Sequence, residues 1–295
     1  MYILKDRAII EVTGVDRRDF LQGLITNDIN LLDQNTIIYS FFLNANGRYF
    51  ADFFICANAD YYWLDCHISQ IDNIIAKLNL FKLRSQVSIR KNTEIAVIFN
   101  LNNQGFSDPR LQDFGYRNYV VIDNNTEYPS DDQSNYHQRR FQFNLVEGCY
   151  DLTVDKSFPL EFGFDNFKAI SYKKGCYIGQ ETTARTHYRG QVRKKIVRFG
   201  LKNNNFDVFL EKFFYDNQLT FNASNAWETT SLKNCVIYQD DQEIGIILSS
   251  FYDRNANSLI GLALLKDNFK NDQQSNEVNQ DDVHLIICDN KISIT

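Results

Sequence analysis

The stretch TIIYSFFLNANGRYFADFFICAN, residues 36–58, constrains the fold of this chain most. Two apolar, aromatic-rich runs flank Asn46-Gly47. Asn and Gly accept the positive φ angles that a tight hairpin turn demands, so the stretch predicts two antiparallel strands. YYWLDC continues the sheet. AIIEVTG, ahead of the hairpin, reads as a further strand.

Helical spacing occurs twice in this part of the chain. DRRDFLQGLITNDI places Phe20, Leu21, Leu24 and Ile25 on one face, with Asp16 as the expected cap and Asp19 in the positive first turn. SQIDNIIAKLNLFKLRS places Ile71, Ile74, Ile75 and Leu78 together, with Ser69 and Asp72 suited to its start. QVSIR, EIAVIFN and the segment after DPRLQDFGYR return to strand. SDDQSNYHQRRFQFNLVEG suggests a helix running into a turn at Gly148, and GQETTARTHYRG a short helix between Gly179 and Gly190. From KKIVRFGL onward only short strands follow. The fold class is therefore α+β followed by an all-β region. KNNNFD, from Lys202, marks the expected boundary, giving domains 1–201 and 202–295. The polar run Lys266 to Asp282 reads as a loop. No internal repeat and no Walker or Rossmann fingerprint is found.

The chain has 295 residues, 44% hydrophobic and 23% charged, ordinary for a soluble globular protein. No apolar run is long enough to span a bilayer, and no membrane association is expected. The start carries no secretory signal and is too acidic for a transit peptide. Six scattered cysteines without a CxxC pair suit reduced thiols rather than disulfides or zinc. No stable metal is expected. The abundance of Asn, Ile, Lys and Tyr points to an AT-rich genome, and the expected location is the bacterial cytoplasm.

Charge is uneven. The formal net charge is −6, yet Lys168 to Arg198 holds nine Lys/Arg and one acid, a surplus of +8 that leaves −14 elsewhere. Direct nucleic-acid binding is not expected of so acidic a chain, but this segment could attract an anion. Inside it lies KKGCYIGQE. Gly175 and Gly179 allow unusual backbone and close approach. Cys176 precedes a helix start and follows Lys173 and Lys174, features that raise a thiolate fraction. The residues alone leave two readings open: a reactive or ligating thiol, or a small residue in a turn.

KGCYIGQE, followed by AR and RG, resembles the signature of the YgfZ family, a folate-binding family with mitochondrial relatives in iron–sulfur assembly. That family is related to the T-protein, the aminomethyltransferase of the glycine cleavage system. VTGVDRRDFLQGLITNDI, LNANGRYFADFFI, DPRLQDFGYR, YHQRRFQFNLVEGCYDL and IGIILSS…LIGLALL resemble its other segments in order. The resemblance implies two antiparallel α+β folate-binding subdomains and a C-terminal β-barrel around a central channel. It implies tetrahydrofolate as cofactor, and iron–sulfur client or assembly proteins as partners. [4Fe–4S] enzymes, tRNA-modifying ones among them, are the implied clients.

Two departures from the T-protein matter. Its hairpin carries adjacent acids, whereas here Asp52 follows Ala51. Its R-x-E-A-G glutamate aligns with Gln142. Both lower the expectation of aminomethyl transfer, which stays as the alternative function. The expected site is then Cys176 and Asp52 as reactive groups. Asn27, Asp28, Arg140, Gln142, Lys174, Gln180, Glu181, Arg185 and Arg189 are the expected folate contacts, with Cys176 also a transient cluster ligand. His187 reads as a loop or surface histidine.

Overall fold

The computed structural model describes residues 1–32, 36–122, 134–190, 192–202, 232–239, 242–253, 258–266, 284–287 and 290–293. The early elements are β1 (Tyr2–Ile3), β2 (Arg7–Thr13), α1 (Arg17–Gln22), β3 (Ile37–Leu43), β4 (Tyr49–Ala57), β5 (Tyr61–His67), α2 (Ile71–Lys82), β6 (Ser88–Asn92), β7 (Ile95–Asn100), β8 (Phe106–Ser107) and β9 (Tyr116–Val121). There follow α3 (Ser134–Gln142), α4 (Gly148–Asp151) and α5 (Gln180–Arg189). The last strands are β10 (Lys194–Lys202), β11 (Val236–Gln239), β12 (Gln242–Asp253), β13 (Ser258–Lys266), β14 (His284–Ile287) and β15 (Asn290–Ser293). They fall into two units, Met1–Gln133 with Leu152–Val192, and Ser134–Asp151 with Arg193–Thr295.

The first unit holds a five-stranded sheet of order β3-β4-β5-β2-β6 and a four-stranded sheet of order β1-β7-β9-β8. Every pairing is antiparallel, and β3 meets β4 from Ile37↔Cys56 to Leu43↔Tyr49. The Asn-Gly hairpin forms as its sequence predicts. Side chains alternate across a strand. One face of the larger sheet therefore gathers Ile38, Phe42, Phe53, Ile55, Leu64, Ile10 and Val12 against Phe20, Leu21, Ile71, Ile74 and Leu78. Burying each large side chain of this kind contributes about 1.5–3 kcal/mol.

The opposite face is buried too, and mixes apolar and aromatic residues such as Ile9, Phe41 and Phe54 with paired charges. Asp65 Oδ1 accepts from Arg7 Nε at 2.6 Å and Oδ2 from Arg117 Nη1 at 2.9 Å. Arg110 pairs with Asp108 at 2.8 Å, and the Arg117 guanidinium lies 3.6 Å from the Phe54 ring centroid. The DPR turn thus supplies a buried cation, each charge matched by a carboxylate.

Helix ends differ from their sequence expectations. α1 stops at Gln22, and Leu24 and Ile25 are buried from the loop beyond it. Asp16 makes no side-chain cap; its Oδ2 takes the Gln86 N–H at 2.6 Å. A 3-10 turn, Ile68–Gln70, precedes α2, and its cap is His67, whose side chain accepts from Ser69 N. Gly148 opens the short α4 rather than only a turn.

The second unit holds a six-stranded antiparallel sheet of order β10-β13-β12-β11-β14-β15. Its edge strands β10 and β15 are not paired with each other. Among the described residues the sheet-rich C-terminal region is thus not a closed barrel, which requires its first and last strands to bond. The expected boundary stretch from Asn203 and the polar run from Asp267 to Asp282 lie outside the described residues. No helix among the described residues is long and apolar enough to cross a membrane.

Candidate functional site

The cysteine loop is seated on the hairpin turn. Gly179, the residue before α5, has φ +83°, and a Cβ there would lie 2.6 Å from Asn44 O. Gly47 has φ +75°, and a Cβ there would meet Thr182 Cβ at 2.9 Å. Both positions need glycine for conformation and for space. Gly175 is different: its φ is ordinary and nothing lies within 4 Å of a built Cβ. The backbone beside Cys176 is open.

Lys174 holds the loop from below. Its Nζ donates to Gln22 O at 2.6 Å, Ile25 O at 2.7 Å and Asn27 O at 2.9 Å. All three ammonium protons are thereby used, on the last carbonyl of α1 and on two carbonyls of the segment beyond it. Burial pulls its pKa down to about 8, against the Asp28 carboxylate, which resists the drop. Lys174, expected to contact a ligand, has its head group engaged as a clasp between two chain segments.

A second clasp closes the loop from above. Asp165 accepts from the Tyr172 hydroxyl through Oδ1 and meets His187 Nδ1 through Oδ2 at 3.0 Å. The Tyr172 and His187 rings stack at 3.7 Å, 15° from parallel. Burial, then the bond to Asp165, raises the Tyr172 pKa. His187, expected as a loop or surface histidine, is exposed, but it lies on α5 and is oriented by a carboxylate. No local pattern announces a contact between residues 165 and 187.

Between the clasps sits Cys176, exposed and free. Among the described cysteines it alone is exposed; Cys56 and Cys66 are buried, and burial pushes their thiols up to about 12. Cys149 and Cys235 are half-buried, so Cys176 is the most open of the described thiols.

Asp52 is not an open base. It is 1% exposed, with Oδ1 taking the Tyr49 hydroxyl at 2.7 Å and Oδ2 the Tyr39 hydroxyl at 2.8 Å. Asn27 is buried, its amide donating to Tyr39 O and Lys168 O at 2.9 and 2.7 Å. Asp28 caps a 3-10 turn. Its burial would raise its pKa, but the Asn30 N–H and Gln22 amide hold it below the ordinary value. These expected contacts serve the fold.

On α5, Gln180 is half-buried, and its N–H reaches Tyr177 O at 3.2 Å. Glu181 and Arg185 are exposed and face each other at 3.6 Å, one turn apart, so the expected Arg185–Arg189 clamp is in part a surface ion pair. Arg189 is exposed in the last turn. Arg140 and Gln142 belong to the second unit. Arg140 is buried, donating to Asp151 Oδ2 at 2.6 Å and to Leu145 O at 3.3 Å, while Asp151 also accepts from Ser249 Oγ. Gln142 is exposed at the end of α3. The basic segment is itself divided, since Arg193, Lys194, Lys195 and Arg198 belong to the second unit.

No family model matches the chain. Among curated proteins, the mitochondrial iron–sulfur cluster assembly factor IBA57 homolog of Mycosarcoma maydis is 34% identical, over 65% of this chain and 54% of its own length. The Dictyostelium discoideum homolog is 30% identical, over 65% and 60%. Mitochondrial IBA57 of Mus musculus is 30% identical, over 65% and 64%. The chain spans little more than half the length of these relatives. Their mitochondrial location overturns the bacterial cytoplasmic expectation, because reduced cysteines and AT-biased composition suit either compartment. The aminomethyltransferase T of the glycine cleavage system from Bartonella henselae matches in structure, with TM-score 0.62 and 13% identity, over 99% of this chain and 84% of that one. By sequence the chain is similar to mitochondrial IBA57 assembly factors, and its fold is that of aminomethyltransferase T.

Proposed function

We propose that this chain is a folate-binding accessory factor for the assembly or repair of iron–sulfur clusters, acting through Cys176. The observation that carries the proposal is the presentation of that thiol. It is the one exposed cysteine of the described residues, on a loop fixed through Lys174 below and Asp165 above. A thiol held this way suits transient ligation of iron, its proton passing to solvent. It does not suit a resident cluster, which usually takes four ligands. Curated relatives named as iron–sulfur assembly factors support the same reading. [4Fe–4S] enzymes, including tRNA-modifying ones, are the proposed clients.

Tetrahydrofolate is the proposed ligand, on the likeness to aminomethyltransferase T. The residues fit it only in part. Lys174, Asn27 and Arg140 have their polar groups engaged within the fold, whereas Arg189 and Gln142 are exposed. The alternative, aminomethyl transfer, needs an accessible base, and Asp52 is sealed by two tyrosines.

Replacing the native chain in cells by Cys176→Ala tests the proposal. Activity of cluster-dependent enzymes is expected to fall while the variant stays folded. Normal activity would overturn it. Calorimetry with tetrahydrofolate tests the ligand; no heat of binding at millimolar ligand would remove folate from the reading.

A further inference from the structure

A groove of about 450 Å3 opens where α1 begins and the β4–β5 hairpin turns. Its walls include Val15, Leu32 and Tyr62 on the apolar side, and Arg17, Arg18 and Asp19 on the polar side. It lies at the Ala57 end of β4. The cysteine loop packs on Gly47, beyond the other end of the same strand. Strand rise over that length puts on the order of 30 Å between them.

We infer that this groove binds a small organic anion, a phosphate or carboxylate carried on a compact apolar body. The two arginines carry the argument. Arg17 Nη1 donates to Gly14 O at 2.9 Å and Nη2 to Ala59 O at 2.5 Å, and its guanidinium lies 5.6 Å from the Tyr62 centroid. These contacts aim the group but leave its charge unbalanced. Its Nε is buried and has no hydrogen-bond partner. Arg18 Nη1 bonds only the neutral Asn30 Oδ1, at 3.0 Å. Among the described residues neither guanidinium is ion-paired. The buried Arg7, Arg110, Arg117 and Arg140 each meet a carboxylate.

Two guanidinium groups in one concave wall, without an ion-pair partner among the described residues, are what carboxylate and phosphate oxygens bind, through charge-assisted hydrogen bonds. The volume falls within the range of small-molecule sites, and Val15, 76% exposed, offers the apolar contact. Asp19 sets a limit. Its carboxylate shares the wall, so a singly charged head is favoured over a doubly charged one.

An NMR titration of the full chain with phenyl phosphate tests this, with benzoate and inorganic phosphate as separate arms. Phenyl phosphate or benzoate is expected to give saturable shifts at Val15, Arg18 and Ala59. The tighter of the two names the head group. Arg18→Gln, at an exposed position, is expected to weaken binding by roughly tenfold. Asp19→Asn is expected to tighten it severalfold by removing the like charge. Arg185→Ala, on α5, should change nothing. Inorganic phosphate binding as tightly as both organic anions would overturn the inference, as would weaker binding by Asp19→Asn. Equal loss in Arg185→Ala, or no saturable shift at 10 mM of any arm, would do the same.

Discussion

Lys174→Met removes the lower clasp and leaves the carbonyls of Gln22, Ile25 and Asn27 without their donor. A charge-assisted bond contributes about 1.5–3 kcal/mol, so three at the low end contribute roughly 4–5 kcal/mol. Against this stands the burial of the ammonium. A drop from 10.5 to about 8 corresponds to about 3.4 kcal/mol, reduced to about 2 by residual solvent screening. The net expected loss at pH 7 is roughly 2–3 kcal/mol. The sign with pH follows from the same shift. The folded pKa lies below the unfolded one, so between pH 8 and 10.5 the unfolded chain binds the extra proton, and wild-type stability rises with pH. Lys174→Met lacks that rise, and its deficit widens by up to about 2 kcal/mol across the window. Urea unfolding from pH 7 to 10, followed at Trp63 in a Trp227→Phe background, measures both quantities. A deficit that stays flat with pH, or a loss below about 0.5 kcal/mol at pH 7, would refute the clasp.

Gly179→Ala places a Cβ against Asn44 O in a left-handed conformation, and is expected to lower stability by roughly 2–4 kcal/mol in thermal melts. Cys176→Ser leaves stability within about 0.5 kcal/mol, as exposed substitutions do, and removes the fastest-reacting thiol in a native Ellman titration. Asp151→Asn strands Arg140 inside the second unit, and denaturant unfolding is expected to show a loss of roughly 3–5 kcal/mol. Asp52→Asn weakens one of two tyrosine bonds, so a loss of about 1–2 kcal/mol is expected in urea. No loss there would mean that the tyrosines bond elsewhere.

The antiparallel α+β plan was legible because its signals are local: the Asn-Gly turn, alternation in β2 to β5, and helical spacing in α2. Helix ends were less so, since His67 caps a 3-10 turn ahead of α2, which has no side-chain cap, and α1 stops at Gln22, short of Leu24 and Ile25. The site residues divide along the same line. Cys176 was identified because its glycine-rich loop is contiguous in sequence, and its exposure follows. The engagement of Lys174 was hidden, its acceptors lying 147–152 residues upstream. So was that of Asp52, whose neighbours in sequence say nothing of Tyr39 and Tyr49 closing over it. The pairing of Asp165 with His187 was hidden too, because a stacked ring and a shared carboxylate leave no periodic trace.

The contact between Gly47 and Gly179 has a temporal meaning. These residues are 132 positions apart in the chain. The floor on which α5 begins exists only once β3 and β4 have paired in register, and a slip by one residue would turn every side chain of the hairpin to the wrong face. During synthesis the hairpin emerges long before the cysteine does. The thiol loop is therefore set after its platform, on a hairpin that has already packed. A copy whose first sheet is misfolded leaves Cys176 on a loose strand of chain, so the state of the upstream sheet decides whether that copy can act at all.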